Sequence, residues 1–200
     1  MLLLSGILVL LNMYLAFGTC PNGTLGQGVT SEEQNLIVSL HNSFRLEIAN
    51  GTVPNQPKGN NLKRMKWDSC LASEAQRIAN TCEYMHQKAS CSTWGAIGQN
   101  LYTSSSTSDS NKVSNWTSAT TSWFDEYKLF TYSSTYNPNA SHYTQMVWAT
   151  TDSVGCGWTY YTDSSVYKYK KLYVCNYGPA GNYVGQYPYQ TGDSGCENLC

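Results

Sequence analysis

Hydrophobic residues first take on a helical period between residues 30 and 50. They recur three or four positions apart, at Leu36, Ile37, Leu40, Phe44 and Ile48. This spacing places side chains along one face of a helix. Thr30 and Glu33 have the spacing of a capping box at its start, and Asn50-Gly51 provides an end. The pattern predicts a first helix between these signals, with His41 as a buried polar residue that ties it to a neighbouring element.

A second helical period follows a loop, residues 51–63, that is rich in proline and glycine. Asp68 or Ser69 can cap the helix. Its apolar face has five members: Leu71, Ala75, Ile78, Ala79 and Cys82. We therefore expect a second helix from about residue 69 to Cys82.

Serine and threonine fill 13 of the 20 positions from Thr103 to Ser122, a composition typical of a flexible loop. In the second half of this stretch larger residues restore a helical period: Val113, Trp116, Thr120, Trp123, Phe124 and Tyr127. The pattern predicts a mobile loop at 103–110 and a third helix at about 111–127.

After Ser141 the pattern favours strands. Three segments are rich in aromatic and β-branched residues, 146–149, 155–161 and 167–177, and a turn at 163–165 joins the last two as a hairpin. Helices followed by an antiparallel hairpin predict an α+β domain.

The first residues have the composition of a secretory signal. Residues 2–11 are apolar, and Ala16-Phe17-Gly18 provides the small residues that precede a cleavage site, so we expect cleavage after Gly18. An uncleaved membrane anchor is the alternative, but Asn12 and Tyr14 interrupt the apolar run.

Composition also favours an extracellular protein. The chain has eight cysteines, an even number that suits an oxidising compartment. Four glycosylation sequons are present, at Asn22, Asn50, Asn115 and Asn139. The net charge is only −1, and acidic and basic residues are scattered along the chain. This argues against nucleic acid or an anionic membrane as a partner.

The cysteine spacing limits the disulfides. Cys156 and Cys175 lie opposite each other in the predicted hairpin, so we expect them to pair. Cys196 and Cys200 are expected to close a small loop in the tail. Cys70 and Cys82 lie at opposite ends of a helix and cannot pair with each other. Two arrangements stay open for the remaining four cysteines: Cys20–Cys70 with Cys82–Cys91, or Cys20–Cys82 with Cys70–Cys91.

Three motifs together point to a known family. They are His41-Asn-Ser-Phe-Arg45, the stretch from Ser141 to Thr151 that contains His142, and the stretch from Leu172 to Tyr183. The set resembles the signatures of the CAP superfamily, which comprises cysteine-rich secretory proteins, antigen 5 and pathogenesis-related 1 proteins. Met65-Lys-Trp-Asp68 and the cysteine-containing tail resemble the venom-allergen-like, or activation-associated, secreted proteins of parasitic nematodes.

The resemblance implies a fold and a division of the chain. It implies an α-β-α sandwich with an antiparallel central sheet. The implied segments are a signal peptide at 1–18, an N-terminal segment at 19–29, a CAP domain at 30–187 and a tail at 188–200.

The resemblance also implies a polar cluster in a central cleft. Its members here are His86 of Cys82-x-x-x-His86, Glu126 of Trp123-x-x-Glu126, and His142. Where the family has a Gly-Glu-Asn tripeptide, this chain reads Gly98-Gln99-Asn100, so one carboxylate is replaced by an amide.

Two readings of this cluster stay open. His86 and His142 could bind zinc weakly, with Gln99 lowering the affinity, or the four side chains could form a hydrogen-bonded network that locks the fold. A metal-dependent hydrolase using His86, Glu126 and His142 is less favoured. No cofactor is required, and neither Gly-x-Ser-x-Gly nor His-Glu-x-x-His occurs in the chain.

These features predict a secreted, non-enzymatic effector, a monomer or weak dimer, that binds an extracellular host protein or lipid. A sterol or fatty-acid carrier is an alternative. Some CAP relatives bind sterols through spaced loop aromatics, but after Phe130 and Tyr132 this chain has Tyr136 one position early and Asn137 at the required site, which predicts weak sterol binding. A fatty-acid groove would be lined by Leu36, Leu40, Trp116 and Trp123, which are more simply core residues.

Overall fold

The computed structural model describes residues 20–109, 112–193 and 199. It contains five strands: β1 (Thr24–Gln27), β2 (Lys66–Trp67), β3 (Gly98–Ser106), β4 (Ser153–Thr162) and β5 (Tyr169–Gly178). The order across the sheet is β1-β4-β5-β3, with antiparallel neighbours, and β2 adds a short parallel pairing to β4.

Four α-helices accompany this sheet in the described part of the chain: α1 (Ser31–Asn50), α2 (Ser69–Ala79), α3 (Trp116–Phe124) and α4 (Ser141–Met146). Short 3₁₀ helices, Asp125–Leu129 and Pro138–Ala140, connect α3 to α4. The prediction for α1 is confirmed at both ends. Thr30 and Glu33 form the capping box, and Gly51 takes the left-handed conformation, φ 70°, that ends the helix.

The strands β4 and β5 alternate between two hydrophobic layers. Cys156 and Tyr173 face a core shared with α1 and α3, whereas Leu172 and Val174 face α2. This period of two arises because successive side chains of a strand point to opposite faces. The result is an antiparallel sheet between two helical layers, so the expected α+β class and α-β-α sandwich are confirmed.

The disulfides follow from this arrangement. Cys156 and Cys175 are direct partners in the β4–β5 register and are bonded to each other. For the other four cysteines, the structure contains the second open arrangement: Cys20–Cys82 and Cys70–Cys91. Cys196 and Cys200 lie outside the described residues, as does the predicted signal segment.

Three predicted boundaries were wrong. α2 ends at Ala79, and Cys82 follows in a left-handed turn with φ 60°, outside the helix. α3 begins only at Trp116, because Asn115 caps it by accepting a hydrogen bond from Ser118 N at 3.0 Å. The β4–β5 connection spans residues 163–168, three residues longer than the predicted turn at 163–165.

Two segments adopt a different structure from the one predicted. Residues 103–106, expected in a mobile loop, continue β3, since their backbone pairs with residues 169–172 of β5. Residues 146–149, expected as a strand, lie at the end of α4 and in the turn after it, where Val147 N donates to Tyr143 O. In the first segment hydrogen bonds from the neighbouring strand override local preference, and in the second the last turn of α4 extends into residues that favour a strand. Within the described ranges, no helix has the length and apolar character needed to cross a membrane.

Candidate functional site

His142 and Glu126, two of the predicted site residues, are joined by direct hydrogen bonds. Glu126 lies in the 3₁₀ helix after α3, and His142 lies in the first turn of α4. His142 Nδ1 is 2.6 Å from Glu126 Oε1, and Glu126 Oε2 accepts hydrogen bonds from the backbone N–H groups of His142, at 3.0 Å, and Tyr143, at 3.3 Å. A carboxylate that accepts at the start of a helix is well placed, because those N–H groups have no partner within the helix.

Gln99 holds His86 in a second pair. Gln99 Nε2 donates to Gln87 O at 3.1 Å and to Asn176 Oδ1 at 2.9 Å, which fixes the orientation of the amide. Its Oε1 therefore faces His86 Nδ1, at 3.0 Å, and accepts from it. The proton of His86 consequently lies on Nδ1, leaving the Nε2 lone pair available to a ligand.

A buried chain of hydrogen bonds connects this region to α1. Asn100 Nδ2 donates to His142 O at 3.1 Å and to Tyr177 OH at 3.3 Å. His41 Nε2 is 2.9 Å from the same hydroxyl, and His41 Nδ1 is 2.8 Å from Ile37 O. Because the carbonyl can only accept, His41 carries its proton on Nδ1 and accepts from Tyr177. His41 thus has the buried tying role expected of it.

Arg45 fixes the segment that follows α4. It is fully buried, and its guanidinium donates to the carbonyls of four residues, at 2.6–2.8 Å: Met146, Lys63, Thr151 and Trp148. These bonds hold the turn after α4 against α1, so Arg45 supports the helix on which His142 lies. The sequence motif contained Arg45, but its four partners are far away in the chain and gave no local signal.

The site supplies few metal ligands. Among the residues that the structure describes, no group of three or more histidine, cysteine, aspartate or glutamate side chains could hold a metal ion. The available donors are the Nε2 atoms of His86 and His142. In each ring an acceptor bonds to the opposite nitrogen and orients the side chain, as the hydrogen-bond partners of metal-bound histidines do. A cleft of about 410 Å³ adjoins His86 and Gln99.

The aromatic loop after α3 is packed by its own side chains. Phe130 is buried and packs on Tyr143, with ring centroids 5.8 Å apart. The hydroxyl of Tyr132 donates to Tyr189 O. The cavity lined by this loop measures about 10 Å³, and about 10–15 Å³ is needed to hold a single water molecule.

Side chains fill the space between α1 and α3 where the sequence suggested a fatty-acid groove. Trp116 and Trp123 are each 1% exposed and belong to the core between α1 and the sheet. Phe44 and Phe124 stack between α1 and α3 with ring centroids 4.2 Å apart. Leu36 points outward and is 42% exposed. The tryptophans and the phenylalanine pair therefore pack α1, α3 and the sheet together, and Leu36 takes no part in this packing.

The family model of the cysteine-rich secretory proteins, named CAP, matches residues 38–177. The chain belongs to the CAP family. The salivary antigen-5 of Dipetalogaster maximus is 39% identical over 176 residues, which cover 84% of this chain and 70% of that protein. The predicted resemblance to CAP proteins is thereby confirmed.

Solved structures agree with this assignment. Venom allergen-like protein 4 of Schistosoma mansoni matches with a TM-score of 0.66 and 29% identity, covering 82% of this chain and 98% of that one. A structure of NaASP2 with Zn²⁺ matches with a TM-score of 0.68 and 26% identity, covering 88% and 93%. The likeness to venom-allergen-like proteins expected from the sequence is therefore also found.

The buried histidine of this CAP domain gives its stability a pH dependence. Burial, followed by the nearby charge of Arg45, lowers the pKa of His41 to about 4 from 6.5. The folded state then binds fewer protons than the unfolded state between these values, so stability is present above pH 6.5 and is lost as the pH falls towards 4.

As the pH falls from 6.5 to 4, we expect the shifted pKa of His41 by itself to lower the free energy of unfolding by about 3 kcal/mol. Urea unfolding at pH 7 and pH 4.5 measures it, with His41→Gln as the comparison. The variant should start less stable and lose less on acidification. Equal losses in the two proteins would contradict this assignment.

Proposed function

We propose that this CAP protein is a secreted, non-enzymatic effector that binds an extracellular host protein. The observation that carries the proposal is an exposed surface formed by Tyr136, Tyr183, Val184 and Tyr187, called here the tyrosine surface. Their exposed fractions are 48%, 46%, 83% and 54%. Tyrosine is enriched among the residues that dominate binding energy at protein interfaces.

The tyrosine surface is ordered before any partner arrives. Tyr187 stacks on Tyr132 with ring centroids 5.0 Å apart, and Tyr183 lies against Trp148 at 6.2 Å. Gly185, with φ 82°, makes the turn between them, and its N–H donates to Ser134 O at 3.1 Å. Side chains held in place lose less conformational entropy on binding.

The cleft supports binding better than catalysis. Both oxygens of Glu126 already accept hydrogen bonds, so this carboxylate orients His142 and is not free to act as a base. At the position of the second family carboxylate, Gln99 is a neutral amide. A hydrolase using His86, Glu126 and His142 would have an imidazole as its base but would lack the second carboxylate of the family's cleft.

Several further properties belong to the same proposal. We expect secretion after removal of residues 1–18, a monomer or weak dimer, and glycans at Asn22 and Asn50. Both of these side chains are exposed, as are Asn115 and Asn139. Asn115 uses its side-chain oxygen to cap α3. A glycan at Asn139 would partly cover the cleft beside His142.

A pull-down from host extracellular fluid tests the proposal. The bait is the full secreted chain, and the variant is Tyr183→Ser with Val184→Ser. The matched control is Val166→Ser with Tyr167→Ser in the β4–β5 connection, where exposed fractions of 82% and 59% provide another exposed valine and tyrosine. We expect protein partners that the control retains and the first variant loses. Equal capture by both variants, or no saturable protein partner, would refute the proposal.

Sterol binding is expected to be absent or weak, since a cavity of about 10 Å³ cannot enclose a sterol. A radiolabelled cholesterol assay on the purified protein measures this, with palmitate as a parallel ligand for the α1–α3 interface. Saturable sub-micromolar cholesterol binding that Phe130→Ala with Tyr132→Ala abolishes would move the function to lipid transport.

Zinc is expected to bind weakly, through His86 and His142. Gln99→Glu should strengthen binding by restoring a charge, and His142→Ala should abolish it.

The same Gln99→Glu change places a carboxylate oxygen against Gln87 O and Asn176 Oδ1, which now accept from Nε2. We therefore also expect it to cost about 1–3 kcal/mol of stability. Calorimetric titration above pH 7 and thermal melts measure the two effects. Unchanged zinc affinity would show that the charge at position 99 does not control the site.

A further inference from the structure

Three cations lie within four residues in the segment that enters β2. Lys63, Arg64 and Lys66 are all exposed, although the whole chain has a net charge of only −1. The view from the sequence that charges are scattered is therefore wrong for this segment. In the described residues no ion pair involves any of the three. The three cations line a cavity of about 320 Å³, and Asp152 contributes a carboxylate to the same lining.

The backbone that carries these cations is firmly held. Lys63 O accepts from buried Arg45 at 2.6 Å. Met65 exchanges two hydrogen bonds with the side chain of Asn42, at 2.7 and 3.1 Å. Lys66 N donates to Asp152 O at 2.9 Å. The cationic side chains thus extend from a fixed edge, which reduces the entropy lost when they bind a ligand.

The same edge forms one wall of an open groove of about 620 Å³. The opposite wall is α1, which contributes Asn35, Ser39 and Ser43, residues four positions apart and exposed. Residues at this spacing lie on one helix face. The partly buried Trp67 adds an aromatic side chain to the lining, as does the apolar Leu199, whose carbonyl accepts from Arg64 Nη1 at 3.1 Å.

We propose that this groove binds a sulfated glycan. Arg64 and Lys66 line the groove, and Lys63 lines the adjoining cavity, which Arg64 and Lys66 also border. Together these cations match the charge of sulfate groups, and charged hydrogen bonds of this kind are stronger than neutral ones. The amide and hydroxyl groups on α1 can exchange hydrogen bonds with sugar hydroxyls. Trp67 offers an aromatic surface with an apolar body to a sugar ring. An acidic peptide would use the cations but has less need of the neutral polar wall.

Heparin, as a sulfated glycan probe, tests the proposal on the full secreted chain. Lys63→Gln with Lys66→Gln removes two cations and leaves Arg64 on Leu199. Lys128→Gln with Lys168→Gln removes the same charge elsewhere on the surface. The lysine variant loses two exposed ion pairs with the sulfate groups of heparin, which should weaken heparin binding by about tenfold. The control should bind as the unmodified protein does, and binding should weaken as salt rises.

A third variant examines the opposite wall. Ser39→Asp adds a negative charge to α1 without removing a cation, and it should also weaken heparin binding. Tyr183→Ser with Val184→Ser should leave it unchanged, because that pair does not line the groove. This separates the glycan site from the tyrosine surface. Equal weakening by the two lysine pairs, no heparin binding in physiological salt, or equally tight binding of polyglutamate would overturn the proposal.

Discussion

Replacing Arg45 with methionine is expected to destabilise the protein by about 4 kcal/mol or more. The side chain is fully buried, and its guanidinium donates to four backbone carbonyls from two separate segments, residue 63 and residues 146–151. Methionine fills much of the same space but offers no donor. Trp148 O would keep the N–H of Thr151, at 3.2 Å, as a donor, and the other three carbonyls would lose the guanidinium that bonds to them. The turn after α4 should loosen, and with it the position of His142.

Denaturant unfolding at neutral pH measures this loss. Arg77→Met is the matched control, because Arg77 is part of a partly exposed ion pair with Glu74 at 3.1 Å, and such pairs contribute about 0–1 kcal/mol. Arg45→Lys keeps the charge but cannot reach four carbonyls, so it should fall between the two. A loss at Arg45 no larger than that at Arg77 would show that the four bonds contribute little.

Replacing Gly157 with alanine is the second change expected to have a large effect. The added Cβ would lie 2.4 Å from both the Cα and the N of Gln76, so the backbone of α2 would have to move. Gly155, two residues earlier on the same strand face, meets Ala72 N at 2.2 Å in the same way. These glycines let α2 lie directly on β4. We expect Gly157→Ala to cost about 3 kcal/mol or more, because a packed backbone cannot yield without losing other contacts.

Thermal melts of Gly157→Ala and of Gly95→Ala measure the difference. A Cβ at Gly95 meets nothing within 4 Å, so this control should change stability by less than about 0.5 kcal/mol. Similar melting temperatures for the two variants would mean that α2 can move away from β4 at little cost.

Motifs predicted a cluster of His86, Gln99, Glu126 and His142, and the structure has two hydrogen-bonded pairs, His86 with Gln99 and Glu126 with His142. Comparison with the family motif interprets Gln99 as an amide that weakens the site by removing a carboxylate. In the structure the amide NH₂ of Gln99 donates to Gln87 O and Asn176 Oδ1, while the amide oxygen accepts from His86. Only an amide can do both at once. Asn176 is 77 residues away in the chain, so the reason for the amide could not be read locally.

The sequence by itself determined the elements whose signals are local. α1 has its capping box and glycine stop within its own residues, and the β4–β5 hairpin has alternating strands with facing cysteines. The tertiary structure decided what depends on distant partners. Residues 103–106 form a strand because β5 supplies their hydrogen bonds, and Cys82, in a left-handed conformation after the end of α2, pairs with Cys20. Arg64 and Lys66 border a groove beside α1, with Lys63 next to it, because Arg45, Asn42 and Asp152 hold the backbone of this segment. Local patterns encode backbone preference, whereas these features arise from hydrogen bonds between segments that only folding brings together.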